Sequence, residues 1–385
     1  MLHQIRLQNL LSFGPDMPVL HLRPLNVIIG PNGSGKSNLI EMIGILRACS
    51  RHLGEWGRDC GGISSILKQG SSASSGRIAT VTIEEDVRFF GSHFTRHTLE
   101  VNGWDNRLTV RKECVESGAT LDKLRQSVLR ADTDATFFLD NGDRLEDPSL
   151  KADQSVLSQR IDPDRYPTLT SLSEYYSEIR TYRDWSFGRM TPPRLPQRTD
   201  GRSDYLESDC SNLGMVLNRI RRDPAQKEQL IERLNDLYPG IKDVDVSIEG
   251  GTVQVFLTEG KYAMPATRLS DGTLRYLCLL AILLHPTPPP LICIEEPELG
   301  LHPDVMPAIG KLLKQASERT QLIVTTHSDE LVDSLSESPE DVVVCEKHDG
   351  CTTFNRLDGD QLKVWLEDYQ LGTLWRRGDI GGNRW

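Results

Sequence analysis

The sequence contains no long apolar run: none approaches the roughly 18 residues that a membrane-spanning helix needs. Its first residues do not have the pattern of a secretory signal peptide. The eight cysteines are scattered without a C-x-x-C pair, which is typical of reduced thiols rather than of a disulfide framework. We therefore expect a soluble, cytoplasmic protein that has no membrane partner.

Basic residues are also in the minority. The 385 residues include 44 Lys and Arg against 55 Asp and Glu, a formal net charge of −11. This excludes a protein that is basic all over, so any contact with nucleic acid would need a local basic patch. With 38% hydrophobic and 26% charged residues, the chain has the composition of a globular protein rather than of a disordered one.

A glycine-rich segment near the N-terminus follows an apolar stretch that is typical of a buried strand. The stretch is Leu25–Ile29, the segment Gly30–Ser37 matches G-x-x-x-x-G-K-S, and apolar periodicity from Asn38 to Arg47 predicts a helix. Strand, glycine-rich turn and helix form the context of a phosphate-binding loop, in which glycines let backbone N–H groups surround the phosphates. The segment predicts a nucleoside triphosphate site.

Within this loop, Lys36 is suited to reach the β- and γ-phosphates, and the Ser37 hydroxyl is suited to ligate Mg²⁺. The residues that we expect to contact ATP here are Asn32, Gly33, Ser34, Gly35, Lys36 and Ser37.

Two acidic residues end a second buried-strand pattern later in the chain. The apolar residues from Leu291 to Ile294 are followed directly by Glu295 and Glu296. Glu295 suits Mg²⁺ coordination, and Glu296 suits polarisation of the water that attacks the γ-phosphate. Strands also end in acidic residues for solubility alone, but together with the glycine-rich loop the pair predicts ATP hydrolysis.

Two further segments place polar residues at the ends of regular elements. Ser270 precedes an almost wholly apolar helix as a natural N-cap, and Gly272 allows close backbone approach at the start of that helix. A capped core helix would explain the helix but not the cluster of Ser, Asp and Gly at its tip. The apolar residues from Gln321 lead to His327 at a strand end, where we expect a contact with the γ-phosphate.

These segments, in this order, resemble the motifs of ABC-type ATPases. Gly30–Ser37 resembles Walker A, and Leu269–Thr273 resembles the signature. The strand that ends in Glu295 and Glu296 resembles Walker B. Gly300–Pro303 resembles the D-loop, and His327 resembles the switch histidine. The spellings I-E-E-P-E-L-G-L-H-P and T-T-H-S resemble the stand-alone AAA-type ATPases related to RecF, SMC and OLD proteins. The resemblance is strong over residues 1–50 and 265–330.

The resemblance implies an α/β fold, a P-loop NTPase of ABC-ATPase type. A mixed central sheet with flanking helices would carry an antiparallel β lobe and an inserted α/loop region. It also implies that two copies of the chain sandwich two ATP molecules, with Ser270 and Gly272 acting on the γ-phosphate held by the partner. The cofactors would be ATP and Mg²⁺.

The sequence also departs from this pattern. No glutamine can be assigned to the Q-loop, since Gln69 has no matching strand before it. No long heptad tract predicts coiled-coil arms, and the residues after Ser328 are too few for the nuclease domain of OLD-type proteins. We therefore expect the effector, such as a nuclease, on a separate chain.

The region between the motifs divides the chain into three segments, 1–115, 116–202 and 203–385. Alternating apolar and polar residues over 76–115 predict antiparallel strands, and the polar residues 116–165 predict a small helix with loops.

The stretch Arg180–Arg202 holds six arginines with interleaved aromatics. It fits either DNA contact or a proline-rich excursion whose arginines pair within the protein or approach ATP.

Three functions remain open at this point. The first is an ATPase switch or motor in DNA repair, other DNA-related processes or antiviral (anti-phage) defence. The second is a regulatory scaffold that dimerises around ATP and hydrolyses little of it. The third is the nucleotide-binding subunit of a transporter, which the missing Q-loop and the L-S-D-G-T spelling disfavour.

Overall fold

The computed structural model describes residues 1–68, 78–88, 92–104, 106–138 and 143–382. Gln69 lies outside the described residues. The strands are β1 (Leu2–Gln8), β2 (Leu20–His21), β3 (Leu25–Ile29), β4 (Ile78–Arg88), β5 (Ser92–Trp104), β6 (Arg107–Gly118), β7 (Arg125–Ala131), β8 (Asp134–Phe138), β9 (Arg144–Asp147), β10 (Arg180–Tyr182), β11 (Gln197–Arg198), β12 (Ile241–Glu249), β13 (Thr252–Glu259), β14 (Tyr262–Pro265), β15 (Leu291–Glu295), β16 (Gln321–Thr325), β17 (Val342–His348) and β18 (Cys351–Arg356).

The helices are α1 (Lys36–Cys49), α2 (Leu53–Asp59), α3 (Ile63–Ile66), α4 (Val156–Gln159), α5 (Pro167–Glu178), α6 (Leu213–Ile220), α7 (Pro224–Leu237), α8 (Asp271–Leu283), α9 (Met306–Ser317), α10 (Asp329–Asp333), α11 (Gly359–Leu366) and α12 (Leu371–Arg377). None of these helices is long and apolar enough to cross a membrane.

The chain forms two compact units. Unit one comprises Met1–Ile179 and Val343–Arg356, and unit two comprises Arg180–Val342 and the described residues from Leu357 onward. The division into three segments made from the sequence stays a prediction.

Unit one contains an antiparallel sheet in the order β2-β1-β4-β5-β6-β7-β8-β9. The strands predicted over residues 76–115 are confirmed as β4, β5 and β6, since these pair in antiparallel register along their lengths. Helix α2 packs against β6, and α1 packs against α2, α4 and α5. Helices of the same unit also contact β5 and β4, through α3 and α5.

The prediction of a small helix with loops over residues 116–165 is wrong for its first half. Strands β7, β8 and β9 continue the antiparallel sheet there, with a turn at Asp132 in the left-handed conformation (φ 53°). The alternation of apolar and polar residues that marks a strand is not visible in this part of the sequence. The reason is that a charged residue, Arg130, occupies an inward-facing position of β7 and is wholly buried. A sheet with one solvated face shows a clean alternation only when its inner positions are apolar.

In unit two, β10, β15 and β16 form a parallel run, with Tyr182 opposite Ile294 and Glu295 opposite Thr325. Parallel strands are usually buried on both faces, which explains the near-continuous apolar sequences of β15 and β16. A second sheet joins β11, β13 and β12, with β14 beside β13. The hairpin predicted around Gly250 and Gly251 is confirmed, since both adopt positive φ between β12 and β13.

Helix α8 is buried around its whole circumference from Thr273 to Leu283. It packs against α6, α7 and α9. This burial confirms the expectation of a core helix, because a helix that is apolar all round is stable in water only when other elements cover every side.

Candidate functional site

The glycine-rich loop lies in unit one between β3 and α1. All five residues of β3 are buried, and α1 begins at Lys36, two residues before the predicted start at Asn38. Gly35 precedes the helix with φ 116°, a conformation that L side chains rarely adopt. The strand, turn and helix predicted from the sequence are present in that order.

The three loop glycines have different surroundings. A Cβ on Gly30 would lie 2.1 Å from the Cys345 carbonyl oxygen, and one on Gly35 would lie 2.2 Å from Thr352 Oγ1. A Cβ on Gly33 would meet nothing within 4 Å, although its φ of 79° also favours glycine. Gly30 and Gly35 therefore let the loop pack on β17 and β18, while the side of the loop at Gly33 is open and exposed.

Hydrogen bonds within unit one fix the loop. Lys36, which is 5% exposed, donates from Nζ to the carbonyl oxygens of Gly30 (2.8 Å) and Pro31 (3.0 Å). Thr352 Oγ1 donates to the Ser34 carbonyl oxygen (2.6 Å) and lies 2.7 Å from Ser12 Oγ. Ser12 and Thr352 have no motif of their own, so sequence reasoning missed them.

The loop residues Asn32 and Gly33 are exposed, whereas Ser34, Gly35 and Lys36 are buried and Ser37 is half-buried in the first turn of α1.

The acidic pair lies in unit two, where β15 ends. The Glu296 backbone is left-handed (φ 46°), which is uncommon for a residue other than glycine, and its N–H donates to the Thr325 carbonyl oxygen (3.0 Å). Its side-chain Oε1 lies 3.5 Å from His327 Nε2. The structure thus brings together Glu296 and His327, two residues that the sequence selected separately.

A third glutamate in this region was missed. Glu298 Oε1 accepts a hydrogen bond from the His327 backbone N–H (2.6 Å). Burial raises the pKa of the Glu298 carboxyl above its ordinary value, and backbone hydrogen bonds, including that from His327, oppose this rise. In the sequence it is only the acid that follows Pro297, and nothing there indicated a contact with the backbone of His327.

The signature-like segment opens α8, as predicted. Ser270 is the N-cap, with Oγ accepting from the Thr273 N–H (3.0 Å). A Cβ on Gly272 would lie 2.8 Å from the Gly300 carbonyl oxygen, so the glycine allows the signature-like and D-loop-like segments to touch.

The stretch Arg180–Arg202 lies against these residues. Arg183 Nε is 3.1 Å from Glu295 Oε2, and Trp185 Nε1 donates to the Glu295 carbonyl oxygen (2.9 Å). Arg194 is buried and donates from Nη1 to the Leu269 carbonyl oxygen (2.6 Å), and it forms an ion pair with Asp271. Sequence reasoning singled out this stretch but did not connect it with the acidic pair and the signature-like segment.

Three of the four remaining arginines of the stretch support the interpretation that its arginines pair within the protein. Arg180 is buried over the Tyr205 ring at 4.9 Å from its centroid. Two exposed ion pairs join Arg198 to Asp200 and Arg202 to Asp204. DNA contact through Arg180–Arg202 stays a prediction, and Arg194 is too buried to take part in it.

The side chains that the sequence assigned to Mg²⁺ fit that ion by their chemistry. Ser37 and Glu295 supply a hydroxyl and a carboxylate oxygen, the hard donors that Mg²⁺ prefers. Within the described ranges, no group of three or more His, Cys, Asp or Glu side chains could hold a metal.

The glycine-rich loop, the acidic residues at the end of β15 and the α/β fold are those of a P-loop ATPase of ABC type. Residues 25–333 match the family described as "AAA domain, putative AbiEii toxin, Type IV TA system", and the chain belongs to this family. No curated protein sequence matches the chain significantly.

Solved structures similar to the chain include heads of SMC proteins. An SMC head bound to the C-terminal winged-helix domain of ScpA is 16% identical, with a TM-score of 0.59 over 94% of this chain and 99% of that one. An SMC head with an extended coiled coil, bound to the C-terminal domain of ScpA derived from Pyrococcus furiosus, is also 16% identical, with a TM-score of 0.57 over 95% and 98%. A Pyrococcus yayanosii SMC head is 12% identical, with a TM-score of 0.52 over 95% and 99%. At these identities the likeness concerns the fold, and it confirms the predicted fold class.

Proposed function

We propose that the chain binds and hydrolyses ATP and works as an ATP-dependent switch. The observation that carries this proposal is the arrangement at the end of β15, where Glu296 is held in a left-handed conformation beside His327. A strained backbone at a strand end is a device by which proteins present a reacting side chain. Membership of an AAA family supports nucleotide as the substrate.

In this proposal each motif has one task. Lys36 and the backbone N–H groups of the glycine-rich loop bind the phosphates of ATP, and Ser37 and Glu295 hold Mg²⁺, which would neutralise charge on the phosphates. Glu296 orients and polarises the attacking water, since a base must lie just beyond the γ-phosphate. His327 contacts the γ-phosphate, and the His327 backbone is anchored by Glu298.

We further propose that two copies of the chain close around ATP, with Ser270 and Gly272 facing the nucleotide of the partner. The start of α8 supports this role. This helix has 13 residues, and the backbone N–H groups and positive dipole end at a helix N-terminus attract anions such as phosphate. A regulatory scaffold that binds ATP but hydrolyses little of it is the alternative, and the placement of Glu296 beside His327 favours turnover.

The wider role that fits best is in defence against phage or in a DNA-related process, with the effector on a separate chain. The description of the family as a putative AbiEii toxin of a type IV toxin–antitoxin system supports a place in defence. Two of the similar SMC heads are bound to ScpA, which makes a protein partner a reasonable expectation for this chain.

The test is ATP turnover by three proteins. Wild type should hydrolyse ATP in the presence of Mg²⁺, and Glu296→Gln should retain ATP while its turnover falls about 100-fold or more, the span expected for a lost general base. Lys36→Ala should lose ATP binding itself. Turnover of Glu296→Gln at the wild-type rate would contradict the assignment, and binding without turnover in wild type would favour the scaffold.

A further inference from the structure

Residues 183–194, which we call the arginine segment, begin at the carboxylate proposed to hold Mg²⁺. Arg183 Nε lies 3.1 Å from Glu295 Oε2, and Trp185 Nε1 donates to the Glu295 carbonyl oxygen (2.9 Å). The Glu295 side chain is 15% exposed and that of Arg183 34%. Partial burial weakens solvent screening, so the positive charge of Arg183 acts on Glu295 more strongly than a fully exposed arginine would.

The same segment ends at the signature-like loop. Arg194 Nε donates to the Phe187 carbonyl oxygen (2.7 Å), which ties the segment to itself, and Nη1 donates to the Leu269 carbonyl oxygen (2.6 Å). The ion pair with Asp271 adds a second tie. Arg194 therefore holds the residues on both sides of Ser270.

The middle of the segment contacts Glu296 through a residue of α8. The Arg275 guanidinium lies over the rings of Trp185 (5.1 Å) and Phe187 (5.6 Å), and Nη1 donates to the Glu296 carbonyl oxygen (3.0 Å). A planar cation packed against two rings has little freedom to move independently of them. The acidic pair and the signature-like loop are thus joined by one packed segment.

We propose that Arg183 is a counter-charge that competes with Mg²⁺ for Glu295, and that the arginine segment transmits this competition to the loop around Ser270. The inference rests on the proposed function, since it takes Glu295 as the metal ligand. Two cations on one carboxylate repel each other, so Arg183 loosens its contact when Mg²⁺ binds. Because Arg194 holds Leu269 and Asp271, the loosened segment also releases the signature-like loop.

The first experiment measures the Mg²⁺ dependence of binding of a fluorescent, non-hydrolysable ATP analogue. In Arg183→Gln the half-saturating Mg²⁺ concentration should fall about three- to tenfold, because a partly exposed competing cation has been removed. Arg183→Lys should resemble wild type. The matched control is Arg198→Gln, which removes the same charge from the same stretch at an exposed pair with Asp200 and should leave the Mg²⁺ dependence unchanged.

The second experiment measures hydrogen exchange in peptides that cover residues 183–194 and 266–274. The protein is kept at a concentration too low for association, so that contact between copies does not protect the loop around Ser270. In wild type under this condition, exchange in both peptides should be higher with the analogue and Mg²⁺ than with the analogue alone. In Arg183→Gln, exchange should already be high without metal. The wild-type result alone tests the proposal even if the variant fails to fold.

Two outcomes would overturn the inference alone. The first is a half-saturating Mg²⁺ concentration in Arg183→Gln that is unchanged or higher than in wild type; a higher value would mean that Arg183 assists nucleotide binding. The second is hydrogen exchange in wild type that does not respond to Mg²⁺. Failure of wild type to bind the analogue at any Mg²⁺ concentration would instead remove the proposed function, and the inference with it.

Discussion

At the scale of single residues, the loop glycines are required for two different reasons. Gly33→Ala places a side chain in open space and should cost about 1–2 kcal/mol of unfolding free energy, the strain of a left-handed backbone. Gly30→Ala should cost markedly more, since its Cβ would also meet the Cys345 carbonyl oxygen at 2.1 Å. Urea unfolding of the two variants measures this difference, and equal losses would contradict the packing role of Gly30.

Glu298 allows a prediction of pH dependence. Burial raises the pKa of its carboxyl above the ordinary value of 4.5, so the folded state binds the proton more tightly than the unfolded state. The stability gained from that proton is fully present below pH 4.5 and is lost as the pH rises through the folded-state pKa. Glu298→Gln should therefore gain stability relative to wild type from acid to neutral pH. Melting temperatures of both proteins across this range measure the effect, and a constant difference would contradict it.

At the scale of elements, a buried polar cluster holds the antiparallel sheet of unit one to its helices. Glu113 on β6 accepts hydrogen bonds from His97 on β5 (3.1 Å), from Ser155 and from the Val156 N–H at the start of α4 (2.8 Å). Arg130 on β7 lies 3.7 Å from the same carboxylate, and both side chains are wholly buried. A charge pair with this many hydrogen bonds fixes the position of the elements that carry it.

Removal of this carboxylate should be costly. Glu113→Gln leaves Arg130 buried without its counter-charge and should lower the unfolding free energy by about 3–5 kcal/mol at neutral pH. Burial raises the pKa of Glu113, but its hydrogen bonds and the charge of His97 outweigh this, and the net pKa is lowered from 4.5. The wild-type advantage should thus be complete above pH 4.5 and shrink as the pH falls through the folded-state pKa. Denaturant unfolding at several pH values tests this, and an advantage that persists undiminished in acid would contradict it.

Sequence reasoning succeeded for elements whose pattern is local. The strand, loop and helix around Lys36, the buried α8 and the hairpin at Gly250 each follow from apolar periodicity and turn residues within a short window. It failed at β7, where the buried Arg130 is paired with Glu113.

The same limit applies to the site. Glu295, Glu296 and His327 stood out because motif spacing is visible along the chain. The partners of Glu295 and Glu296, such as Arg183 and Arg275, are distant in sequence, and their roles depend on contacts that only the folded chain creates. Arg275 did leave a signal in the sequence, because it is the one basic residue within the otherwise largely apolar α8, where a charged side chain needs a partner.

At the scale of the whole molecule, the proposed function is that of a switch whose two states differ in association. In this proposal Ser270 of one copy faces the nucleotide of another, so a single copy would not complete the site. Association linked to a ligand shifts with ligand concentration, and it persists when hydrolysis is blocked.

The most direct test of this central claim is the molar mass of Glu296→Gln by light scattering, with ATP and Mg²⁺ or with ADP and Mg²⁺. The mass should double with ATP and not with ADP. Ser270→Arg in the same background should prevent the doubling by placing bulk and charge at the shared phosphate. Ser270→Ala, which loses the N-cap of α8 without adding bulk, should retain more of it than Ser270→Arg. An identical mass with and without ATP, in a protein that demonstrably binds ATP, would contradict the account.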